Sequence, residues 1–265
     1  MDFYKLAIKE IKRETKNAVS IVFNIPQELK SAYQFIAGQY VTLKLTLDGK
    51  ELRRAYSICS SPKSDEMRIA VKEVKNGTFS KFANTKLAIG DLLAVSISEG
   101  KFTFEAKQDH QRSYAAFAAG SGITPVLSIA KSVLEEELNS TFVLIYGNKD
   151  ESETIFHEEL KALQLKNLGR FFVHFVYSQA NIAGELSGRI DKDIVNAVLK
   201  TKHSDKTFSK FYLCGPEAMI QVVTATLKEN NVAEKDIKFE LFGTSSASEK
   251  KIDARRNRRP TRNNL

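Results

Sequence analysis

The feature that most restricts this chain is a change of hydrophobic period close to Ser113. Up to about Ser98 the apolar residues come in short β-branched and aromatic runs: Val19 to Phe23, Tyr40 to Leu47, Ala55 to Ile58, Met67 to Val74 and Leu92 to Ile97. Turn pairs separate them, among them Asp48-Gly49, Ser61-Pro62, Asn76-Gly77 and Gly90-Asp91. Runs of this length and spacing predict an antiparallel sandwich or barrel, ending near Gln108. From Ser113 strand-like runs alternate with helical patterns. The strands are Tyr114 to Ala119, Thr141 to Tyr146, Phe171 to Tyr177, Phe211 to Cys214 and Ile237 to Leu241. Val126, Ile129, Ala130, Val133 and Leu134 share one helical face, as do Phe156/Leu160/Leu163, Ile194/Val195/Val198/Leu199 and Met219/Val222/Val223/Leu227. That alternation predicts a parallel sheet with helices on both faces, with ligands beyond the carboxyl ends of its strands.

A chain of 265 residues, 42% of them apolar, has room for two such units, each with its own core. No apolar run approaches the roughly 18 residues of a spanning helix, and the first twenty residues carry scattered charges where a secretory signal would be apolar. The expectation is a soluble cytoplasmic protein without a membrane partner. Cys59 and Cys214 are the only cysteines, too few for a disulfide framework, a cysteine zinc site or a four-cysteine iron–sulfur cluster. His110, His157, His174 and His203 share no metal-ligand spacing, so solvated or core imidazoles are expected, and no metal. Glu135-Glu136-Glu137 reads as a solvated helix face.

The formal charge of +8 suggests nucleic acid until it is located. Seven Lys and Arg between Lys250 and Arg262, opposed by Glu249 and Asp253, account for most of the excess. The body before them is close to neutral for its size, and no aromatic residues interleave the basic ones, which argues against nucleic-acid binding. Residues 243–265 therefore read as a basic disordered tail or a cut linker.

Four short motifs carry possible chemistry. In Arg54-Ala55-Tyr56-Ser57 a strand puts Arg54 and Tyr56 on one face, where a guanidinium can clamp a phosphate and a phenol offers a plane for stacking. A plain barrel edge is the other reading of those four residues. Asn76-Gly77-Thr78-Phe79-Ser80 is either a glycine turn opening a helix whose free N–H groups suit a pyrophosphate, or an ordinary hairpin turn. Ala119-Gly120-Ser121-Gly122-Ile123-Thr124-Pro125 follows a strand and opens a helix, the context of a nucleotide site, though it lacks the third glycine of the usual fingerprint. Leu213-Cys214-Gly215-Pro216-Glu217-Ala218-Met219 joins a strand to a helix with a proline and an acid at its start.

The order Arg-x-Tyr-Ser, Gly-x-x-Ser, Gly-x-Gly-Ile-Thr-Pro and Cys-Gly-Pro-x-x-Met, with barrel strands before and a parallel sheet after, resembles the ferredoxin-NADP reductase superfamily from Phe3 to Phe242. Within it the chain is most similar to the reductase components of phenylacetyl-CoA epoxidase and related oxygenases. The resemblance implies an antiparallel six-stranded FAD-binding β-barrel (residues 1–108) followed by an α/β parallel-sheet NAD(P)-binding domain (residues 109–242).

Carried over residue by residue, Arg54 would bind a flavin phosphate, Tyr56 would pack on the isoalloxazine and Ser57 would hydrogen-bond near its reactive edge. Val71 and Lys72 would line the flavin through their backbone, and Gly77, Thr78 and Ser80 would hold the FAD pyrophosphate. Gly120, Gly122 and Thr124 would cradle the nicotinamide nucleotide, with Cys214, Gly215 and Pro216 bordering its ring. Met219 would belong to the core. Tyr56, Ser57, Thr124 and Cys214 would define the hydride-transfer gap. Ser178 and Arg189 would meet a 2′-phosphate, which tilts the coenzyme toward NADPH over NADH. Phe242 would shield the flavin; Phe239 and Leu241 read equally as a buried strand face, and Glu240 would be a proton-handling carboxylate, although nothing local in the sequence sets its acidity.

The implied activity is an FAD-dependent NAD(P)H oxidoreductase that passes electrons singly to a ferredoxin, a flavodoxin or an oxygenase component. A non-catalytic flavin-binding protein of electron-transfer or regulatory type is the alternative; intact Gly120, Gly122 and Thr124 argue against it. The chain departs from the pattern in one respect. Many oxygenase reductases continue into a ferredoxin domain with C-x4-C-x2-C and a fourth cysteine. Here the sequence runs into arginines, so either the module is naturally missing or the chain stops before it.

Overall fold

The computed structural model describes residues 2–47 and 49–242; the predicted basic tail and Asp48 of the first turn pair lie outside the described residues. The first sheet is antiparallel and built from six strands: β1 (Phe3–Thr15), β2 (Ala18–Asn24), β3 (Tyr40–Leu47), β4 (Lys50–Ser57), β5 (Met67–Lys72) and β6 (Leu92–Ser96). Their order is β4-β3-β6-β1-β2-β5. The two edges meet where Ile58 bridges Ile69 and the Cys59 N–H donates to the Arg68 carbonyl at 2.8 Å, so the sheet closes on itself. Closure leaves Leu6, Ile8, Ile21, Val41, Leu43, Ile69 and Val95 buried inside. One helix, α1 (Thr78–Thr85), follows β5.

The long first strand is not among the predicted ones. Its sequence carries Lys5, Lys9, Glu10, Lys12 and Arg13, and its buried apolar positions are Leu6 and Ile8, so its alternation is weak. It is held by pairing to both neighbours, β2 and β6, which no local pattern reports.

The second sheet is parallel, with strands β7 (Ser113–Ala119), β8 (Thr141–Asn148), β9 (Phe171–Tyr177), β10 (Leu186–Ser187), β11 (Phe208–Gly215) and β12 (Ile237–Leu241) in the order β10-β9-β8-β7-β11-β12. Helices α2 (Ile123–Glu136), α3 (His157–Lys166), α4 (Lys192–Asn196) and α5 (Glu217–Glu229) cover it. The helix expected across Ile194 to Leu199 changes pitch: after Asn196 a π-helical turn runs from Ala197 to Lys202. Strand order reverses between β7 and β11, so the crevice outside their carboxyl ends is the place for a ligand.

A common apolar cluster joins the two units. Cys59, Ala70, Phe102 and Phe104 from the barrel side pack with Ile123, Leu127, Tyr114 and Tyr212 of the parallel-sheet side. Polar contacts reinforce this seam. Arg68 of β5 grips Glu159 of α3 with two hydrogen bonds, 2.7 and 3.0 Å, and Lys131 of α2 reaches the same carboxylate at 2.6 Å. Burial alone would raise the Glu159 pKa, but Lys131 and Arg68 hold it below the usual carboxylate range. No helix among the described residues is long and apolar enough to cross a membrane.

The triple glutamate is a solvated face only in part, for Glu135 is exposed and Glu136 half-buried. Glu135 accepts from the Ser61 hydroxyl across the seam, Glu136 pairs with Lys63 at 3.4 Å, and Glu137 is fully buried. Glu137 caps the turn after α2 and accepts from the Tyr114 hydroxyl, the Ser140 hydroxyl and the Lys107 N–H. A run of like residues at a helix end thus serves three different partners, because successive residues point in different directions.

Candidate active site at the seam

The site assembles where the end of β4 and the start of α1 approach the carboxyl ends of β7, β11 and β12. Along β4 the residues Leu52, Arg54 and Tyr56 are half-buried and alternate with exposed ones, as a single strand face requires. The Tyr56 ring lies 5.5 Å from Phe79 of α1, tilted by 40°, so the barrel helix backs the phenol. Burial raises the Tyr56 pKa well above its ordinary value, so the hydroxyl stays protonated. Arg54 lies two residues earlier on that face, its Nη1 donating to the Arg53 carbonyl at 2.8 Å.

Gly77 precedes α1, and its lack of a side chain is used. A Cβ there would stand 2.3 Å from the Ser80 Oγ and 2.5 Å from Val74. Ser80 is buried with its Oγ accepting from the Val74 N–H at 3.2 Å, while Thr78 is at the first helical position. No side chain caps the first turn, so its N–H groups remain available to an anion. Val71 and Lys72 end β5. The Val71 carbonyl accepts from the Asn84 side chain at 3.1 Å, and the Lys72 ammonium crosses the seam to Glu153 at 3.2 Å.

On the parallel-sheet side Gly120 takes φ +53°, and its carbonyl accepts from the buried Tyr146 hydroxyl at 2.9 Å. Gly122 meets β11 so closely that a Cβ would lie 2.1 Å from the Cys214 carbonyl oxygen. Thr124 is buried, and its hydroxyl donates back to the Ser121 carbonyl at 3.0 Å, which fixes the turn. Cys214 is fully buried at the end of β11; burial, then the charge of Glu240, pushes its thiol pKa well up, so it stays a neutral thiol. Gly215 follows, and Pro216 stands one residue ahead of α5. Met219 is buried in the core behind α5.

The glycine turn, the end of β11 and Ser57 thus come together. Ser178 and Arg189 are exposed at the end of β9 and after β10. The parallel pairing of Ser187 with Tyr177 brings both to the same edge. Glu240, a candidate proton-handling carboxylate from the sequence, has its carboxylate facing Ser57, whose Oγ donates to Oε2 at 3.4 Å across 183 positions of chain. Burial lifts the Glu240 pKa to about 7, opposed by that hydrogen bond. Its strand neighbours Phe239 and Leu241 point the other way and are exposed, so they are not a buried face. Phe242, two residues beyond Glu240, is also exposed.

These features fit an FAD and a nicotinamide dinucleotide: a cradle that a Cβ would fill at Gly77, an uncapped helix start, and a second close glycine approach at the switch point. The class defined is a two-domain flavin and pyridine-nucleotide oxidoreductase. The Oxidoreductase FAD-binding domain model matches residues 5–104 and the Oxidoreductase NAD-binding domain model matches residues 117–225. The chain is 37% identical to a component of the 1,2-phenylacetyl-CoA epoxidase of Escherichia coli (strain K12), over 91% of this chain and 68% of that protein. It is 33% identical to the ferredoxin reductase component of 3-ketosteroid-9-alpha-monooxygenase of Rhodococcus rhodochrous, over 91% of this chain and 65% of that protein. Phthalate dioxygenase reductase superposes with a TM-score of 0.71 at 25% identity, covering 92% of this chain and 69% of that structure. The chain therefore belongs to the FAD- and NAD-binding oxidoreductases of the ferredoxin-NADP reductase type. It spans about two thirds of the length of these relatives.

Proposed function

We propose that this protein takes a hydride from NADPH and delivers electrons one at a time to a separate protein, a ferredoxin, a flavodoxin or an oxygenase component. Bound FAD would supply the conversion between two-electron and one-electron chemistry. The observation that carries the reading is the convergence of Ser57 from the barrel with Glu240, Cys214 and the Gly120–Gly122 turn from the other sheet at the strand switch point. In this reading residues 1–108 bind FAD and residues 109–242 bind the coenzyme.

Arg54 and the N–H groups after Gly77 hold the phosphates, with Thr78 and Ser80 at their side, and Tyr56 presents its ring. Val71 and Lys72 contribute backbone along the flavin. Gly120, Gly122 and Thr124 seat the coenzyme, and Cys214, Gly215 and Pro216 border its ring. Ser57 donates a hydrogen bond at the reacting edge, and Glu240, poised near neutrality, relays a proton between Ser57 and water. Ser178 and Arg189 favour the 2′-phosphate of NADPH, the cation giving a bidentate partner. Phe242 covers the site from the chain end. Two relatives carry the names of components of oxygenase systems, which supports an oxygenase-type acceptor. A cytoplasmic setting suits a coenzyme-dependent reductase with two free, buried thiols.

Anaerobic titration of the purified yellow protein with NADPH and then NADH tests this. Flavin bleaching at lower NADPH than NADH is expected; bleaching by neither coenzyme would remove the proposed reductase activity.

A further inference from the structure

At the opposite end of the parallel sheet from the glycine turn, a half-open cavity of about 250 Å³ lies where the segment after the barrel passes the starts of β7, β11 and β12. Ligands of the nucleotide kind bind at the carboxyl ends of such strands, so this is a separate place. Its walls carry Lys107, Arg112, Lys210 and Lys238, opposed on the lining by Glu105 alone. Lys210 is paired with Asp236 at 2.6 Å, and Lys238 donates to the Thr103 carbonyl at 2.8 Å. Burial, and then the charge of Lys210, lowers the pKa of Lys238: the cations already strain against one another.

A second observation points to a ligand. Tyr212 lines the cavity and is only 2% exposed, with its ring edge-on to Phe102 and Phe104 at 5.7 and 6.3 Å. Its hydroxyl donates to no protein acceptor among the described residues, and its oxygen is not sealed off, so it opens to whatever fills the cavity. The neighbouring Tyr114 differs, since its hydroxyl donates to Glu137 at 2.8 Å. Glu137, the buried carboxylate beside the cavity, is met by that phenol, by Ser140, by the Lys107 N–H and by His110 at 3.5 Å, so its charge is spoken for.

We propose that this cavity binds a phosphate dianion, free or as a small monoester, with Lys238, Lys210 and Arg112 around it and the Tyr212 hydroxyl donating to it. Several cations converging on one unpartnered donor suit a compact dianion better than a single carboxylate. Occupation ties the connecting segment, through Thr103 and Lys107, to the parallel sheet, and so stiffens one lobe against the other.

The test uses the full chain with its flavin, melted in inorganic phosphate or in glycerol phosphate against chloride at matched ionic strength, with NADP+ present throughout to fill the nucleotide site. Phosphate is expected to raise the melting temperature of the wild type. Tyr212→Phe, which keeps the ring packing, is expected to need about tenfold more phosphate for the same shift, the worth of one hydrogen bond to a charged group. Arg112→Gln sits on the exposed rim where folding is not at stake, and is expected to show a comparable loss, so it decides the matter should Tyr212→Phe be unstable. Tighter binding of glycerol phosphate identifies an organic ester as the ligand; equal binding identifies free phosphate. The proposal fails if phosphate gives no shift, or if both variants keep the wild-type response.

Discussion

Replacing Glu240 by Gln should flatten the pH dependence of stability, because this carboxyl keeps its proton in the folded protein long after the unfolded chain has released it. Burial lifts its pKa from 4.5 to about 7, against the hydrogen bond from Ser57. Between those values the folded state holds one more proton than the unfolded state, so stability falls as pH rises through the window and the loss is complete above about pH 7. At about 1.4 kcal/mol per unit, the loss is at most roughly 3 kcal/mol. For a chain of this size each kcal/mol moves the melting temperature by roughly 2 to 4 °C. The His174 imidazole works in the opposite sense. Burial, then His203 and Lys202, holds its pKa down to about 4, so below about pH 6.5 the unfolded imidazole takes up a proton that the folded one refuses. The difference between wild type and Glu240→Gln, measured by chemical denaturation from about pH 5 to about pH 8, cancels that second effect. The variant should gain on the wild type as pH rises. Curves that run parallel across the range would refute the reasoning.

Gly122→Ala places a methyl group 2.1 Å from the Cys214 carbonyl oxygen, so the glycine turn and β11 must part; a loss of roughly 1 to 3 kcal/mol in thermal or urea melts is expected, with flavin reduction by the coenzyme slowed further. Glu159→Ala leaves Arg68 and Lys131 facing each other at the seam without their shared carboxylate. A cost of roughly 3 kcal/mol in the same melts is expected, and a loss under about 0.5 kcal/mol would mean that the bridge is idle. Arg54→Ala should lower flavin occupancy by about tenfold or more, the worth of a charge-assisted hydrogen bond to phosphate, read from the visible absorbance of the purified protein.

Much of this architecture is legible in the sequence because the chain changes period once and keeps to each. Val19 to Phe23 and Met67 to Val74 read as strands, and Val126, Ile129, Ala130 and Val133 lie in α2, which is buried on nearly all sides as far as Leu134. The four motifs are legible for a related reason: glycines at close approaches cannot be replaced, so Gly77 and Gly122 mark places where backbone or side-chain atoms leave no room for a Cβ. What the sequence hides depends on distant partners. β1 is stabilised by pairing with β6, Glu137 by Tyr114, and Glu240 by Ser57 of the barrel, and each of these neighbours is distant in sequence. Phe239 and Leu241 are ambiguous because alternation on an edge strand says which residues share a face, not which face is covered.

The same dependence on the seam links two parts of the molecule that the sequence treats separately. Glu240 has its raised pKa because the barrel buries it, and the barrel is kept against the parallel sheet in part by the Arg68, Glu159 and Lys131 contacts. Parting the lobes would return water to Glu240 and lower its pKa toward the ordinary carboxylate value. By reciprocity, ionising Glu240 must favour the parted arrangement by the same free energy. A Glu159→Ala protein should therefore show a smaller pH-dependent loss of stability from Glu240 than the intact seam does, measured by chemical denaturation over the same pH range. The acid facing Ser57 and the ion bridge on the seam then behave as one coupled unit.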